Sequence, residues 1–321
     1  MNTDHDKTIS KWTVWALVGI LAVAGLGFTV RAVDTGKLAF ASDAATQMMF
    51  QSPAEAATAL AQATKDTNEN ALTKVLGGEA KTLITLGDSE SDKTAMQQFF
   101  SKYQQMNRWV DMSDGSRVLY IGADNFAFPV PLAKNTSGSW YFDAVAGAQE
   151  IRAREIGKNE LLTIDALAAL ANAEQFYFDN CASGEYAQRI ISTPGAQDGL
   201  YWPSSESLRV SPLAQLQEFP KPSLTSLLPD QPFVIDGYSL RILTAQGDDA
   251  PGGAQNYIVN GKMTGGFAIL ATPVKYGETG IMSFMIGREG FVYERDLGPD
   301  TAKTATSIQQ FNPDDNWSPI D

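Results

Sequence analysis

The sequence has very little of the chemistry on which most enzymes rely. It contains one histidine, His5, and one cysteine, Cys181, in 321 residues. Ser-His-Asp and Cys-His catalytic arrangements require a histidine beside the nucleophile, and structural zinc sites use several histidines and cysteines. The sequence also lacks the phosphate-loop pattern GxxxxGK[ST], the GxGxxG pattern and the GxSxG elbow. Carboxylate chemistry and calcium bound by oxygen atoms are the options that remain.

Positive charge is scarce as well. The chain has 24 lysines and arginines against 37 aspartates and glutamates, which gives a net charge of −13. So acidic a protein repels polyanions, and we therefore expect no nucleic-acid partner. The single cysteine excludes an intrachain disulfide.

One long apolar run stands near the N-terminus. Residues 12–30, WTVWALVGILAVAGLGFTV, contain no charged side chain. As a helix they would span about 28 Å, close to the roughly 30 Å of a bilayer core. The run predicts an uncleaved signal anchor that holds a periplasmic protein in the inner membrane. A cleaved signal peptide, which would leave the protein soluble in the periplasm or secreted, and a buried core helix are the alternatives.

The order of predicted elements indicates an α+β protein in three regions. Residues 1–46 form the signal anchor or signal peptide and a spacer. Residues 47–155 contain amphipathic helices, such as SDKTAMQQFFSKYQQM, followed by strands such as RVLYIGADNFAFPVPL and SWYFDAV. Helices followed by a curved antiparallel sheet resemble the nuclear transport factor 2-like cone.

The third region, residues 156–321, is predicted to be a long helix packed on an antiparallel meander. NELLTIDALAALANAEQFYFD, residues 159–179, has the wide apolar surface of a buried helix. Residues 203–232 are rich in proline and predict an extended loop. From Phe233 onward, FVIDGYSLRILTAQG, QNYIVN, GFAILATPV, GIMSFMIG and GFVYERDL predict about four or five strands.

Glycines crowd the segment NGKMTGGFAILATPVKYGETGIMSF, residues 260–284. Glycine-rich loops that bind phosphate open a helix, whereas these glycines separate predicted strands. The pattern therefore predicts turns between strands and no anion site.

Three groups of side chains are candidates for a site. Aromatic residues in the predicted cone would line a ligand pocket: Trp109, Phe126, Phe128 and Trp140. A second aromatic group lies beside proline and is a candidate interaction surface or a core plug: Tyr201, Trp202 and Pro203. Asp296 and Asp300 are weak calcium candidates in a late loop, with a helix cap at Asp300 as the alternative.

Several segments carry a resemblance to a known family. They are FQSPAEAATAL, IGADNFAFPVPL, GSWYFD, AGAQEIRAREIGKNEL, EYAQRIISTPGAQDGLYWP, ILTAQGDDAPGGAQNYIVNGKMTGGFAILATPVKYGETGIMSF and VYERDLGPDT. In these segments the chain resembles the bacterial envelope proteins grouped as domain of unknown function 2950. The resemblance implies an envelope location and no particular reaction.

The second half also resembles the globular part of type IV pilin-like and pseudopilin proteins. NELLTIDALAALANAEQFYF would be their long helix, and GYSLRILTAQG through GREGFVY their meander. This resemblance implies a pilin-like fold and adds weight to calcium at Asp296 and Asp300. The chain departs from pilins because no Gly-Phe processing junction precedes its apolar run, so assembly into a pilus is not expected.

These observations favour a non-enzymatic binding or assembly protein of the envelope. Its partner would be another envelope protein or a cell-wall or lipid ligand, and no cofactor is expected. The alternative is a carboxylate-based enzyme or small-molecule binder with its pocket in the first-domain cone.

Overall fold

A computed structural model describes residues 47–78, 89–182, 184–203, 210–215 and 232–320. The predicted signal anchor at residues 12–30 lies outside these ranges. No helix within them is both long and apolar enough to cross a membrane. The chain divides into two compact units between Arg154 and Glu155.

The described residues form a mixed helical and antiparallel structure, which confirms the predicted α+β class. The helices are α1 Pro53–Lys65, α2 Glu69–Leu76, α3 Ser89–Gln105, α4 Ala144–Asn180, α5 Pro212–Gln215 and α6 Thr301–Ser307. The strands of the first unit are β1 Asn107–Asp111, β2 Arg117–Ile121, β3 Phe126–Ala127, β4 Leu132–Lys134 and β5 Trp140–Phe142. Those of the second are β6 Phe233–Ile235, β7 Tyr238–Leu243, β8 Ala245–Gln246, β9 Gln255–Asn256, β10 Ile258–Val259, β11 Lys262–Met263, β12 Ala268–Pro273, β13 Met282–Gly287, β14 Val292–Asp296 and β15 Ser318–Pro319.

In the first unit, helices pack on one face of a five-stranded sheet. The sheet order is β1-β2-β4-β5, and β3 pairs with β2. Ser52 followed by Pro53 is a sequence signal for a helix start. Helix α1 begins at this signal: the Ser52 hydroxyl accepts the Glu55 N–H, and Pro53 occupies the first turn. Buried side chains from the helices and the sheet form one core, which includes Leu60, Met96 and Phe142.

Helix α4 corrects one prediction. The sequence places the helix at residues 159–179, but the helix already begins at Ala144. Its first turns have no clear apolar stripe, so periodicity does not reveal them. They are stabilised by local contacts instead: Asp143 Oδ1 accepts the Ala146 N–H at 3.0 Å, and Arg154 pairs with Glu150 at 2.8 Å.

In the second unit, the C-terminal part of α4 packs on a six-stranded antiparallel sheet of order β15-β14-β13-β12-β7-β6. Leu167 and Leu170 of the helix are fully buried in the core shared with this sheet. The predicted antiparallel sheet is present, but one of the predicted strands lies outside it. QNYIVN does not join the main sheet, because its residues form β9 and β10 in two separate two-stranded pairs.

The glycine-rich segment turns between strands, as the sequence predicts. Asn260 and Gly261 have φ values of 49° and 79° and connect β10 to β11. Positive φ at both central residues is the signature of a type I′ hairpin turn. Gly280, further along the segment, lies against the buried Tyr238 and leaves no room for a side chain.

Candidate interaction site

Most of the predicted pocket residues of the first unit are core side chains. Phe126, Phe128 and Trp140 are buried. The Phe128 ring packs edge-on against Phe99 at 5.3 Å and against Phe142 at 6.1 Å. These contacts stabilise the unit as other core aromatic pairs do.

Cationic side chains cover two of these rings at the margin of the core. Lys102 and Arg154 lie 5.5 Å and 5.8 Å from the centroid of the Phe126 ring. Arg117 and Lys134 lie 5.1 Å and 4.7 Å from that of Trp140. The ring faces are therefore contacted by the protein's own side chains, which favours a structural role for both rings.

Trp109 differs from the other three aromatic residues because it lies on β1, the last strand of its sheet. It is half-buried, and its ring centroid lies 6.4 Å from that of Phe142. Strand β1 pairs with β2 on one side. On its other side, β1 has no strand partner among the residues that the structure describes.

The register of the β1–β2 pair fixes which main-chain groups point away from the sheet. Met112 N–H bonds to the Ser116 carbonyl and Gly122 N–H bonds to the Met106 carbonyl. Hydrogen-bonded and non-hydrogen-bonded pairs alternate in an antiparallel ladder. The N–H and C=O groups of Asn107, Trp109 and Asp111 therefore point outward, and none of them has a hydrogen-bond partner within the described part of the chain. We call these three main-chain positions the β1 edge.

The side chains of β1 alternate between the two faces of the sheet. Asn107, Trp109 and Asp111 lie on the helix-covered face, and Arg108 and Val110 lie on the opposite face. The Arg108 guanidinium stacks 4.7 Å from the Tyr120 ring and donates to Asn125 Oδ1 at 3.1 Å. Asp111 pairs with Arg117 at 2.5 Å.

The other sheet edges are shorter or already paired. The outer side of β5 bonds to Phe50 through two main-chain hydrogen bonds of 2.8 Å between Phe50 and Trp140. In the second unit, β15 ends in Pro319 and β6 has three residues. Proline and short length are devices that protect an edge from pairing, and β1 has neither.

The second aromatic group is divided between core and surface. Trp202 is only 2% exposed and is among the largest fully buried side chains. Tyr201 is half-buried, and its N–H bonds to the Ile190 carbonyl at 2.9 Å. Pro203 is exposed. The three residues do not form one surface, because Trp202 points into the core.

The two calcium candidates lie at the end of β14 and at the start of α6. Asp296 Oδ1 accepts the Gly298 N–H at 2.8 Å, and Oδ2 accepts the Tyr276 hydroxyl at 3.2 Å. Asp300 occupies the N-cap position of α6, but its side chain makes no capping hydrogen bond. Over the ranges that the structure describes, no group of three or more His, Cys, Asp or Glu side chains is placed to hold a metal ion.

Sequence reasoning missed a carboxylate that fixes a loop of the second unit. Glu160 Oε1, on α4, accepts the N–H groups of Ile281 and Met282, both at 2.9 Å. Burial, together with the nearby Glu160 carboxylate, raises the pKa of Glu294. No sequence signal identifies this arrangement, because the partners of Glu160 lie more than a hundred positions away along the chain.

The described residues form a two-unit α+β protein, and among them no strand pairs with the outer side of β1. The chain belongs to the family described as "Protein of unknown function (DUF2950)", whose model matches residues 47–320. This match confirms the family resemblance seen in the sequence segments. Comparisons with curated proteins and with solved structures give no match. The pilin-like and nuclear transport factor 2-like resemblances therefore stay predictions.

Proposed function

We propose that the protein is a non-enzymatic binding or assembly protein of the bacterial envelope. Residues 12–30 anchor it in the inner membrane, and both described units lie in the periplasm. The partner is a protein that contributes an extended segment to the first unit. The observation that carries the proposal is the β1 edge, which has no main-chain partner in the described ranges, together with its half-buried Trp109.

An unpaired edge supports this function through main-chain chemistry. A strand that adds to a sheet gains hydrogen bonds from the edge, and its alternate side chains contact both faces. At β1 those faces offer Trp109 on one side and Val110 beside Arg108 on the other. The edge thus supplies polar main-chain groups together with apolar and cationic contacts.

The location rests on the sequence. The apolar run has the length of a bilayer-spanning helix and is followed by a spacer before the first unit begins near residue 47. The carboxylate enzyme remains the alternative function. It has less support, because Phe126, Phe128 and Trp140 are packed in the core of the first unit.

Removing a single outward N–H tests the proposal. Asp111→Pro deletes an N–H of the β1 edge, while Asp111→Ala removes the same ion pair with Arg117 and keeps the N–H. We expect tagged full-length Asp111→Ala to keep most of the crosslinked partner that the wild type captures from detergent-solubilised envelope. We expect Asp111→Pro to capture at most about a tenth as much partner as the wild type. A tenfold loss of affinity corresponds to about 1.4 kcal/mol of binding free energy.

Mass spectrometry and immunoblotting of the captured material measure the result. The thermal unfolding of both variants is compared first, to show that each is folded. Equal capture by the proline and alanine variants would contradict binding through the β1 edge. Recovery of the protein in the cytoplasmic fraction would contradict the envelope location.

A further inference from the structure

We infer that the β1 edge pairs with the β1 edge of a second copy of this chain, in antiparallel register centred on Trp109. This inference rests on the proposed function and names the partner. It concerns residues of the first unit alone.

The outward groups of β1 have the spacing that a two-fold pairing requires. With Trp109 opposite Trp109 of the second copy, Asn107 lies opposite Asp111. All three positions carry outward N–H and C=O groups. In an antiparallel pair, two opposite residues whose N–H and C=O groups face each other form two hydrogen bonds. Three such residue pairs give about six main-chain hydrogen bonds between the two copies.

The side chains along β1 are complementary to themselves in this register. The Asn107 amide faces the Asp111 carboxylate, and Arg108 faces Val110. Like charges directly opposite each other would destabilise a sheet, and this register places none there. The two Trp109 rings meet as a cross-strand aromatic pair, which is among the more favourable pairs.

The distribution of charge favours self-pairing at this unit. Most of the acidic excess of the chain lies after residue 154, whereas acidic and basic residues nearly balance in residues 47–154. Two first units therefore approach each other without strong repulsion. One strand pair covers less than the roughly 1,600 Å² of a standard interface, so we expect a micromolar dissociation constant.

Charge substitutions at Val110 give opposite outcomes in such a dimer. Val110→Lys places a cation opposite Arg108 of the second copy, and Val110→Glu places an anion there. Val118→Lys is the matched control, because Val118 is the β2 partner of Val110 on the same face but is one strand away from the edge. Sedimentation equilibrium of full-length protein in a density-matched detergent measures each dissociation constant.

We expect a monomer–dimer equilibrium that Val110→Lys weakens about tenfold, Val110→Glu strengthens a few-fold and Val118→Lys leaves unchanged. The inference would be overturned if the wild type stayed monomeric up to about 1 mM. A dissociation constant of about 1 mM corresponds to a binding free energy of about −4 kcal/mol. Equal effects of the three substitutions would overturn it as well. If the purified protein is monomeric but Asp111→Pro still loses a different captured protein, the proposed function stands and self-pairing is wrong.

Discussion

Gly280→Ala is expected to destabilise the second unit by about 3 kcal/mol. A Cβ atom at this position would lie 2.0 Å from the Tyr238 hydroxyl oxygen and 2.4 Å from its Cζ atom. Tyr238 has no room to withdraw, because it is fully buried and its ring packs 5.8 Å from that of Phe284. Any displacement also lengthens the 2.8 Å hydrogen bond from its hydroxyl to the Met282 carbonyl.

Thermal unfolding of the full-length protein measures this effect. We expect the midpoint of the second unit to fall by about 6–12 °C. Gly157→Ala is the matched control, because Gly157 lies within α4 and an added Cβ would meet no atom within 4 Å. Alanine there should stabilise the helix by about 0.5–1 kcal/mol. If Gly280→Ala and the wild type had the same unfolding midpoint, the contact with Tyr238 would not be the reason for glycine at this position.

Glu174→Gln is expected to make the protein more stable at pH 8 and to leave its stability near pH 4.5 unchanged. Glu174 lies on α4 with 0% exposure, and its Oε2 accepts the Ala187 N–H at 2.8 Å. Its Oε1 has no hydrogen-bond partner among the residues that the structure describes. Burial therefore raises the pKa of this carboxyl well above its ordinary value of 4.5.

The direction of the pH effect follows from this raised pKa. In the unfolded chain Glu174 loses its proton near pH 4.5, whereas the folded protein keeps the proton to higher pH. Its contribution to stability is therefore complete below 4.5 and is lost as pH rises through the folded pKa. Tyr177 and Tyr186 face the same carboxyl, but burial raises the pKa of both phenols, so they stay neutral over this range.

The measurement is the unfolding midpoint of both proteins from pH 4.5 to pH 8. Glutamine keeps the acceptor for Ala187 N–H, so the two curves should separate only as pH rises. Glu174→Ala is the comparison variant, because it leaves the Ala187 N–H unsatisfied and should be about 2 kcal/mol less stable than Glu174→Gln at every pH. Parallel curves for wild type and Glu174→Gln would contradict a buried, protonated carboxyl.

Local signals in the sequence predicted local features of the fold. Ser52 and Pro53 mark the start of α1 because a cap and a fixed φ act within one turn. The Asn260-Gly261 turn was predictable for the same reason. The start of α4 was not predictable in this way. Asp143 caps the helix before Ala144, but no apolar stripe follows it.

The features that depend on distant contacts could not be read from the sequence. Glu160 and Glu174 look like ordinary helix surface residues until the segments that contact them are placed. The aromatic candidates show the same limit, because composition does not distinguish the buried Trp140 from Trp109 at the sheet edge. Strand order decides this difference, and strand order is set by pairing between residues that are far apart in the chain.

Site-specific photocrosslinking in living cells tests the central claim most directly. A photoreactive amino acid is placed at Asp111 on the β1 edge or at the exposed Thr58 on α1 of the same unit. The account predicts discrete crosslinked products from position 111 and none from position 58, with a product of twice the protein's mass if the partner is a second copy. No product from position 111, or the same products from both positions, would contradict a binding role for the β1 edge.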